Sequence, residues 1–147
     1  MNQIISTQEE LNKALFYELD MFKNTCLAWK NKPVEISQFN KRILIESLAL
    51  HSRVLIDFFY GNKGKYLDNI IAQDFLPEDI RWSEIRPEMS YFLKKVKIKA
   101  NKQLAHLCLG RIELIRKDEH GWQFDKVYQE LGAVINLFLK ILREGKK

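Results

Sequence analysis

Apolar residues recur every three or four positions in four long stretches of the chain, which is the spacing of one face of an α-helix. The first stretch follows Thr7-x-x-Glu10, a capping box in which the Thr hydroxyl and the Glu carboxylate bind N–H groups at a helix start. Its apolar stripe fades before Pro33, so we predict a helix between these points. The stripe consists of Leu11, Leu15, Leu19, Phe22, Cys26 and Trp29.

A second helix is predicted from Ser37, which is placed to cap it, to about Gly61. Its opposite, polar face carries Glu46, Arg53 and Asp57 as a ridge of alternating charge. We interpret this ridge as an ion-pair network, solvated or between helices; in the alternative interpretation Arg53 contacts a phosphate. The apolar face carries Leu44, Leu48, His51, Leu55 and Phe58.

His51 lies at the centre of that apolar face. A lone histidine in such a position is typically a buried residue with one hydrogen bond. The alternative, that His51 is a ligand, requires it to face His106 across the interior of a bundle.

The segment from Gly61 to Arg86 is the least regular part of the chain. A connection of this length without secondary structure is unusual, so we expect it to be partly helical and docked by Phe75 and Trp82. It forms a short insertion between the second and third main helices.

A third helix is predicted to begin with Pro87 as its first residue. Its buried stripe consists of Met89, Phe92, Leu93, Val96, Ala100, Leu104 and Leu107. Steps of 100° per residue place Lys95, Lys99, Lys102 and His106 within about 60° of arc on one flank. Asn101 falls on a different side of the same helix.

The last helix carries its stripe from Phe124 to Leu142, with Gly145 as a cap just beyond its end. From Leu131 to Leu142 it is apolar on more than one face. Either the other helices surround it or a second chain covers it, and we expect a homodimer. The four helices together predict an all-α fold, a single domain over residues 1–147 built as an up-and-down bundle with the short helical insertion.

The positive charge is concentrated in one part of the chain. Residues 86–117 contain nine Lys or Arg and two Glu, a net charge of +7, and since the whole chain carries +5 the remainder sums to −2. This asymmetry suits an element that faces nucleic acid, because each neutralised phosphate releases counterions. The alternative is a solvated face of lysines, and the sequence indicates no exposed aromatic nearby for base stacking.

Standard catalytic signatures are absent from the sequence, including a glycine-rich phosphate loop, GxSxG, CxxC and HExxH. None of the three histidines has a second His or a carboxylate three or four residues away on the same helical face, so no metal or other cofactor is predicted. Cys26 and Cys108 are interpreted as buried thiols. The sequence shows neither a secretory signal nor an apolar run long enough to span a membrane, so we expect a cytoplasmic protein without a membrane partner.

One stretch combines an amide, a histidine and neighbouring cations: Ala100-Asn101-Lys102-Gln103-Leu104-Ala105-His106. A helical bundle with this arrangement resembles the HEPN superfamily, whose ribonucleases carry Arg, a polar residue such as Asn, then four to six further residues, and then His. Asn101 and His106 match that pattern, whereas Ala100 occupies the Arg position.

The resemblance implies that His106 performs acid–base chemistry on RNA, with Asn101 as the supporting polar residue. The phosphate-stabilising cation would have to be Lys99, Lys102 or Arg111, because the Arg is missing at Ala100. Many HEPN-like proteins are non-catalytic binding or regulatory modules. The structural alternative is that Asn101 and His106 only hydrogen-bond neighbouring helices.

Three functions follow as hypotheses, and they leave open whether the protein is an enzyme. The first is a non-catalytic or only weakly nucleolytic module that binds RNA or a partner protein through the basic flank of Lys95, Lys99, Lys102 and His106, with Arg111 and Arg53 as further contacts. The second is a metal-independent ribonuclease that uses His106. The third is a homo-oligomeric helical interaction protein with no nucleic-acid role.

Overall fold

The computed structural model describes residues 7–63, 68–105 and 121–145, with the backbone alone for 103–105. Within these ranges every regular element is helical, and the fold is all-α. The long helices are α1 (Gln8–Lys30), α2 (Gln38–Tyr60), α4 (Tyr91–Ala105) and α5 (Phe124–Glu144). The short helix α3 (Trp82–Ile85) lies between α2 and α4.

The starts of α1 and α2 confirm the capping residues read from the sequence. Thr7 Oγ1 accepts a hydrogen bond from the backbone N–H of Glu10 at 3.2 Å, and Glu10 Oε2 accepts one from the N–H of Thr7 at 2.8 Å. Ser37 Oγ accepts from the N–H of Asn40 at 3.1 Å. Each helix start therefore has side-chain acceptors for N–H groups that lack a partner within the helix.

The start of α4 differs from the sequence prediction. Pro87 lies in the irregular segment before the helix, which begins at Tyr91. Ser90 provides the cap, since its Oγ accepts a hydrogen bond from the N–H of Leu93 at 3.1 Å. The Ser90 hydroxyl accepts from an N–H group that has no partner within the helix, whereas Pro87, three residues earlier, has no side-chain acceptor.

The connection between α2 and α4 is partly helical, as expected, with a 3₁₀ turn at Ala72–Phe75 and the helix α3. Gln73 links the two pieces, because its Nε2 donates to the carbonyl of Ile80 at 2.8 Å and its Oε1 accepts from the N–H of Trp82 at 2.9 Å. The indole Nε1 of Trp82 donates to the carbonyl of Phe59 at 2.8 Å, inside the core. Trp82 therefore anchors this connection to the end of α2.

The core is centred on α2, which packs against α1, α4 and α5. Phe138 of α5 lies at its middle, with ring centroids 5.3–6.3 Å from those of Trp82, Phe58, Phe59 and Phe75. Burial of these rings stabilises the fold through the area they remove from water and through edge-to-face ring contacts.

Candidate nucleic-acid interface

The helix α4 has one buried side and one exposed side. Leu93, Val96 and Ala100 are buried against the rest of the protein. On the other side Tyr91 is 72% exposed and Lys95 and Lys102 are also exposed. These exposed positions are separated by four, seven and eleven residues, so the helical repeat places them on one strip.

Aromatic rings accompany the lysines of this strip. Lys95 Nζ lies 4.6 Å from the centroid of the Tyr91 ring, and Lys99 Nζ lies 4.7 Å from that of Trp122, just before α5. The expectation that the neighbourhood lacks exposed aromatics is therefore wrong, since Tyr91 is among the most exposed large side chains. The sequence contains a signal for this contact, a tyrosine four residues before a lysine, which places both on one helix face.

The strip continues onto the first turn of α5. Lys126 Nζ lies 4.5 Å from the centroid of the Phe92 ring, which borders the strip on α4. Trp122 stacks on Phe124, with centroids 5.2 Å apart and ring planes 5° apart. We call this surface the basic–aromatic face; it consists of Tyr91, Lys95, Lys99, Lys102, Trp122 and Lys126.

Three lysines of this face have no carboxylate partner in the described part of the chain. Among the described residues, no carboxylate lies within salt-bridge distance of Lys95, Lys102 or Lys126. A contact with the face of an aromatic ring attracts the ammonium group of a lysine and leaves its positive charge unneutralised. The face therefore offers both positive charge and π surfaces to a ligand.

Lys97 lies on a different side of α4, next to Arg53 and Asp57 of α2. Lys97 Nζ lies 3.0 Å from Asp57 Oδ1, and Arg53 Nε lies 3.9 Å from Asp57 Oδ2, so the two cations share one carboxylate. Since Lys97 and Lys99 are two residues apart, they point about 160° apart around the helix. The structure thus separates Arg53 from the basic–aromatic face and favours its ion-pair interpretation.

These paired charges line an open cleft of about 860 Å³ between α1, α2 and the connection that follows α2. The cleft is lined by apolar side chains of α1 and α2 and by Glu18, Arg53, Asp57 and Lys97. The sequence indicated the Arg53–Asp57 pair, but not that Lys97 joins it from another helix.

Asn101 lies on the same side of α4 as Lys97, four residues later, and not with the basic–aromatic face. Its Oδ1 is buried, and within the described part of the chain it has no hydrogen-bond partner. His106, Arg111, His120 and Cys108 fall outside the described residues. The proposed pairing of Asn101 with His106 and a cation stays a prediction.

His51 is buried and hydrogen-bonded, in agreement with the structural interpretation of this residue. Its Nδ1 lies 2.6 Å from Glu18 Oε2, and its ring makes an edge contact with Tyr17. The alternative in which His51 faces His106 involves a residue that the structure does not describe.

Cys26 is buried in α1, as expected, and is a free thiol. Burial, together with the negative charge of Asp125, raises the pKa of Cys26 to about 12. The thiol therefore stays protonated near neutral pH and is a poor nucleophile and a poor metal ligand. Over the three described ranges, no group of three His, Cys, Asp or Glu side chains is arranged to hold a metal ion.

Comparison with known proteins gives no relative for this chain: no family model, no curated protein and no solved structure matches it. Among the helices that the structure describes, none combines the length and the apolar character required to cross a membrane.

Proposed function

We propose that this protein binds single-stranded RNA through the basic–aromatic face, as a non-catalytic binding module. The observation that carries the proposal is the pairing of lysines with aromatic rings along one exposed surface, at Lys95–Tyr91, Lys99–Trp122 and Lys126–Phe92. Proteins that bind single strands combine a positive surface along the phosphates with rings on which bases stack.

The charge distribution supports a polyanionic ligand. The segment 86–117 has a net charge of +7, whereas the rest of the chain sums to −2. RNA is favoured over other polyanions by the exposed ring of Tyr91, which offers a stacking surface that a phosphate alone does not need. The resemblance of Asn101 and His106 to the HEPN motif agrees with RNA as the ligand class.

The proposal includes the finer architecture in which this face is displayed. The four long helices would form an up-and-down bundle in one domain, with the 3₁₀ turn and α3 as its helical insertion. A cytoplasmic location belongs to the proposal as well, since the free buried thiol of Cys26 suits a reducing compartment.

The electrostatic part is tested by measuring the affinity for a labelled single-stranded RNA of mixed sequence at about 50 and 200 mM salt, by fluorescence anisotropy. Each neutralised phosphate of a single strand contributes roughly 0.7 to the slope of log affinity against log salt. The triple variant Lys95→Ala/Lys102→Ala/Lys126→Ala removes three cations, so it should reduce the magnitude of this slope by about 2. The matched control Lys41→Ala/Arg42→Ala/Lys140→Ala removes the same charge elsewhere. Equal losses of affinity and of salt slope in both variants would mean that RNA responds to the net charge of the protein and not to this face.

The stacking part is tested by Tyr91→Ala. A base stacked on this ring contributes about 1–3 kcal/mol, so the affinity should fall by roughly 5- to 150-fold with an unchanged salt slope. Phe39→Ala, which removes another exposed ring, should leave the affinity unaltered. Absence of RNA binding at low salt would overturn the proposal and leave a partner protein as the ligand of this face.

The same samples report on catalysis. RNA recovered after incubation should be intact, as expected for a binding module. Cleavage that is lost in the His106→Ala variant would instead support the ribonuclease hypothesis.

A further inference from the structure

A shallow groove of about 550 Å³ runs between α1 and α5, away from the basic–aromatic face. Phe16, which lines it, is 51% exposed despite its size. We call it the α1–α5 groove, and its main lining residues are Phe16, Leu19, Tyr128, Gly132, Ile135 and Leu139. Exposed apolar surfaces of this kind are more often interaction sites than polar solvent-facing surfaces are.

The α5 side of the groove carries no charged side chain and includes the small residues Gly132 and Ala133. No Asp, Glu, Lys or Arg occurs from Leu131 to Leu139. The exposed positions of this side are Tyr128, Gln129, Ala133 and Asn136, and a Cβ built on Gly132, between them, meets no atom within 4 Å. Depletion of charge is a property of interface centres, and small side chains allow a second helix to approach closely.

The α1 side carries an exposed ridge that is complementary to itself. Steps of 100° per residue place Phe16, Asp20, Lys23 and Leu27 within about 60° of arc. Phe16 and Leu27, which is 40% exposed, are the apolar ends of the ridge, and the opposite charges of Asp20 and Lys23 lie between them.

We propose that this surface binds a second copy of the same chain, with α1 antiparallel to α1 of the partner subunit. We place the two-fold axis between Met21 and Phe22, because this register forms an apolar contact and a contact between opposite charges. It places Phe16 against the partner subunit's Leu27. It also places Asp20 against the partner subunit's Lys23, and by symmetry each contact occurs twice.

This register also sets Lys13 opposite the partner subunit's Lys30. Lys13 Nζ is already 3.0 Å from Glu9 Oε1, so its charge is balanced within its own helix. The repulsion at the ends of the ridge is therefore weaker than the attraction at its centre, where Asp20 and Lys23 have no ion-pair partner among the described residues.

The size of the surface suits a stable dimer. α1 and α5 have 23 and 21 residues, so each is about 30 Å long, and two neighbouring helices present a strip about 20–24 Å wide. The resulting area is on the order of 700 Å², close to the roughly 800 Å² that each partner contributes to a standard interface.

The dimer surface and the basic–aromatic face use different sides of α5. Gly132, Ile135 and Leu139 line the groove toward α1. Lys126 and Glu130 face α4, where Lys126 lies over Phe92 and Glu130 Oε2 is 3.3 Å from Ser90 Oγ. The dimer therefore goes beyond RNA binding and does not depend on it.

The test is the oligomeric state of the full chain, measured by sedimentation velocity over a range of concentrations. The wild type should be a dimer at micromolar concentration. Each single charge reversal, Asp20→Lys or Lys23→Asp, should raise the dimer dissociation constant at least tenfold. The double reversal Asp20→Lys/Lys23→Asp restores opposite charges across the axis, so it should return the constant to within about threefold of the wild type.

A second variant tests the groove itself. Gly132→Gln has room for its side chain within one protomer and improves helix propensity, so the protomer should keep its thermal stability while the dimer is lost. Arg42→Glu, on α2, is the matched control for the charge reversals of Asp20 and Lys23. It should change neither the dimer dissociation constant nor the thermal stability. Circular dichroism verifies that each variant is folded.

Three outcomes would overturn the proposal: a monomeric wild type at about 100 µM, single reversals without effect, or a double reversal no better than the singles. The RNA affinity of each variant is measured on the same samples. Because Asp20, Lys23 and Gly132 lie outside the basic–aromatic face, failure of the dimer and failure of RNA binding are distinguishable.

Discussion

His51 Nδ1 and Glu18 Oε2 are 2.6 Å apart, and this hydrogen bond joins α2 to α1. The histidine side chain is 7% exposed and that of the glutamate 25% exposed, so the ring depends on the carboxylate for its polar contact. Glu18→Ala leaves a buried ring nitrogen without its partner, and we expect it to lower the free energy of unfolding by about 1–3 kcal/mol. Urea denaturation measures the change.

A double-mutant cycle isolates this interaction from other effects of the substitutions. In a His51→Leu background the nitrogen is absent, so Glu18→Ala should cost less than about 0.5 kcal/mol. Glu9→Ala, which breaks the exposed pair with Lys13, serves as the surface control and should also cost less than about 0.5 kcal/mol. Equal costs of Glu18→Ala in both backgrounds would contradict the assigned hydrogen bond.

Trp82 Nε1 donates to the carbonyl of Phe59, one residue before the end of α2. Carbonyls in the last turn of a helix have no partner within it, so the indole satisfies a group that is otherwise unpaired in the core. Trp82→Phe keeps an aromatic ring but removes the donor, and we expect a loss of about 1–3 kcal/mol in thermal or urea denaturation. Tyr91→Phe, which removes a hydroxyl from an exposed ring, should lie within about 0.5 kcal/mol of the wild type; a similar value for Trp82→Phe would refute the role of this hydrogen bond.

The sequence predicted the helices whose ends carry local signals. Thr7, Ser37 and Gly145 act within a few residues of their own positions, so a short pattern is enough to recognise them. The predicted start of α4 was wrong. The apolar spacing continues back through Met89, whereas the helix begins after Ser90, whose hydroxyl caps it. A periodic pattern reports which face is buried and not where the backbone enters the helix.

The site was only partly predictable for a different reason. Lys95, Lys99 and Lys102 share a flank because helix geometry fixes their angles, and the sequence alone places them together. The contact of Lys99 with Trp122 joins residues far apart in the chain, as does that of Lys97 with Asp57. Such contacts depend on how the helices pack, which a single helical pattern does not specify.

Phe138 of α5 is fully buried and contacts rings from α2, the 3₁₀ turn and α3. Phe138→Ala removes these contacts and leaves a cavity that rigid neighbours fill only in part, so we expect a loss of about 3–5 kcal/mol. Urea denaturation is suitable for the measurement, with Phe39→Ala as the control because that ring is 71% exposed. A loss below about 1.5 kcal/mol for Phe138→Ala would show that the central cluster is loosely packed.

Cys26 gives a dependence of stability on pH. Burial first, and then the negative charge of Asp125, raises its pKa to about 12 in the folded protein, whereas an unfolded cysteine ionises near pH 8.5. Between these values the unfolded chain has released a proton that the folded chain retains, so the unfolded state gains stability as the pH rises. The free energy of unfolding should therefore fall by about 1 kcal/mol per pH unit between pH 9.5 and 10.5 because of this group.

Urea denaturation of a Cys108→Ser chain under reducing conditions, with and without Cys26→Ala, isolates the contribution. The Cys26→Ala profile should be flatter by that amount, and two parallel profiles would mean that the buried thiol ionises as readily as an exposed one.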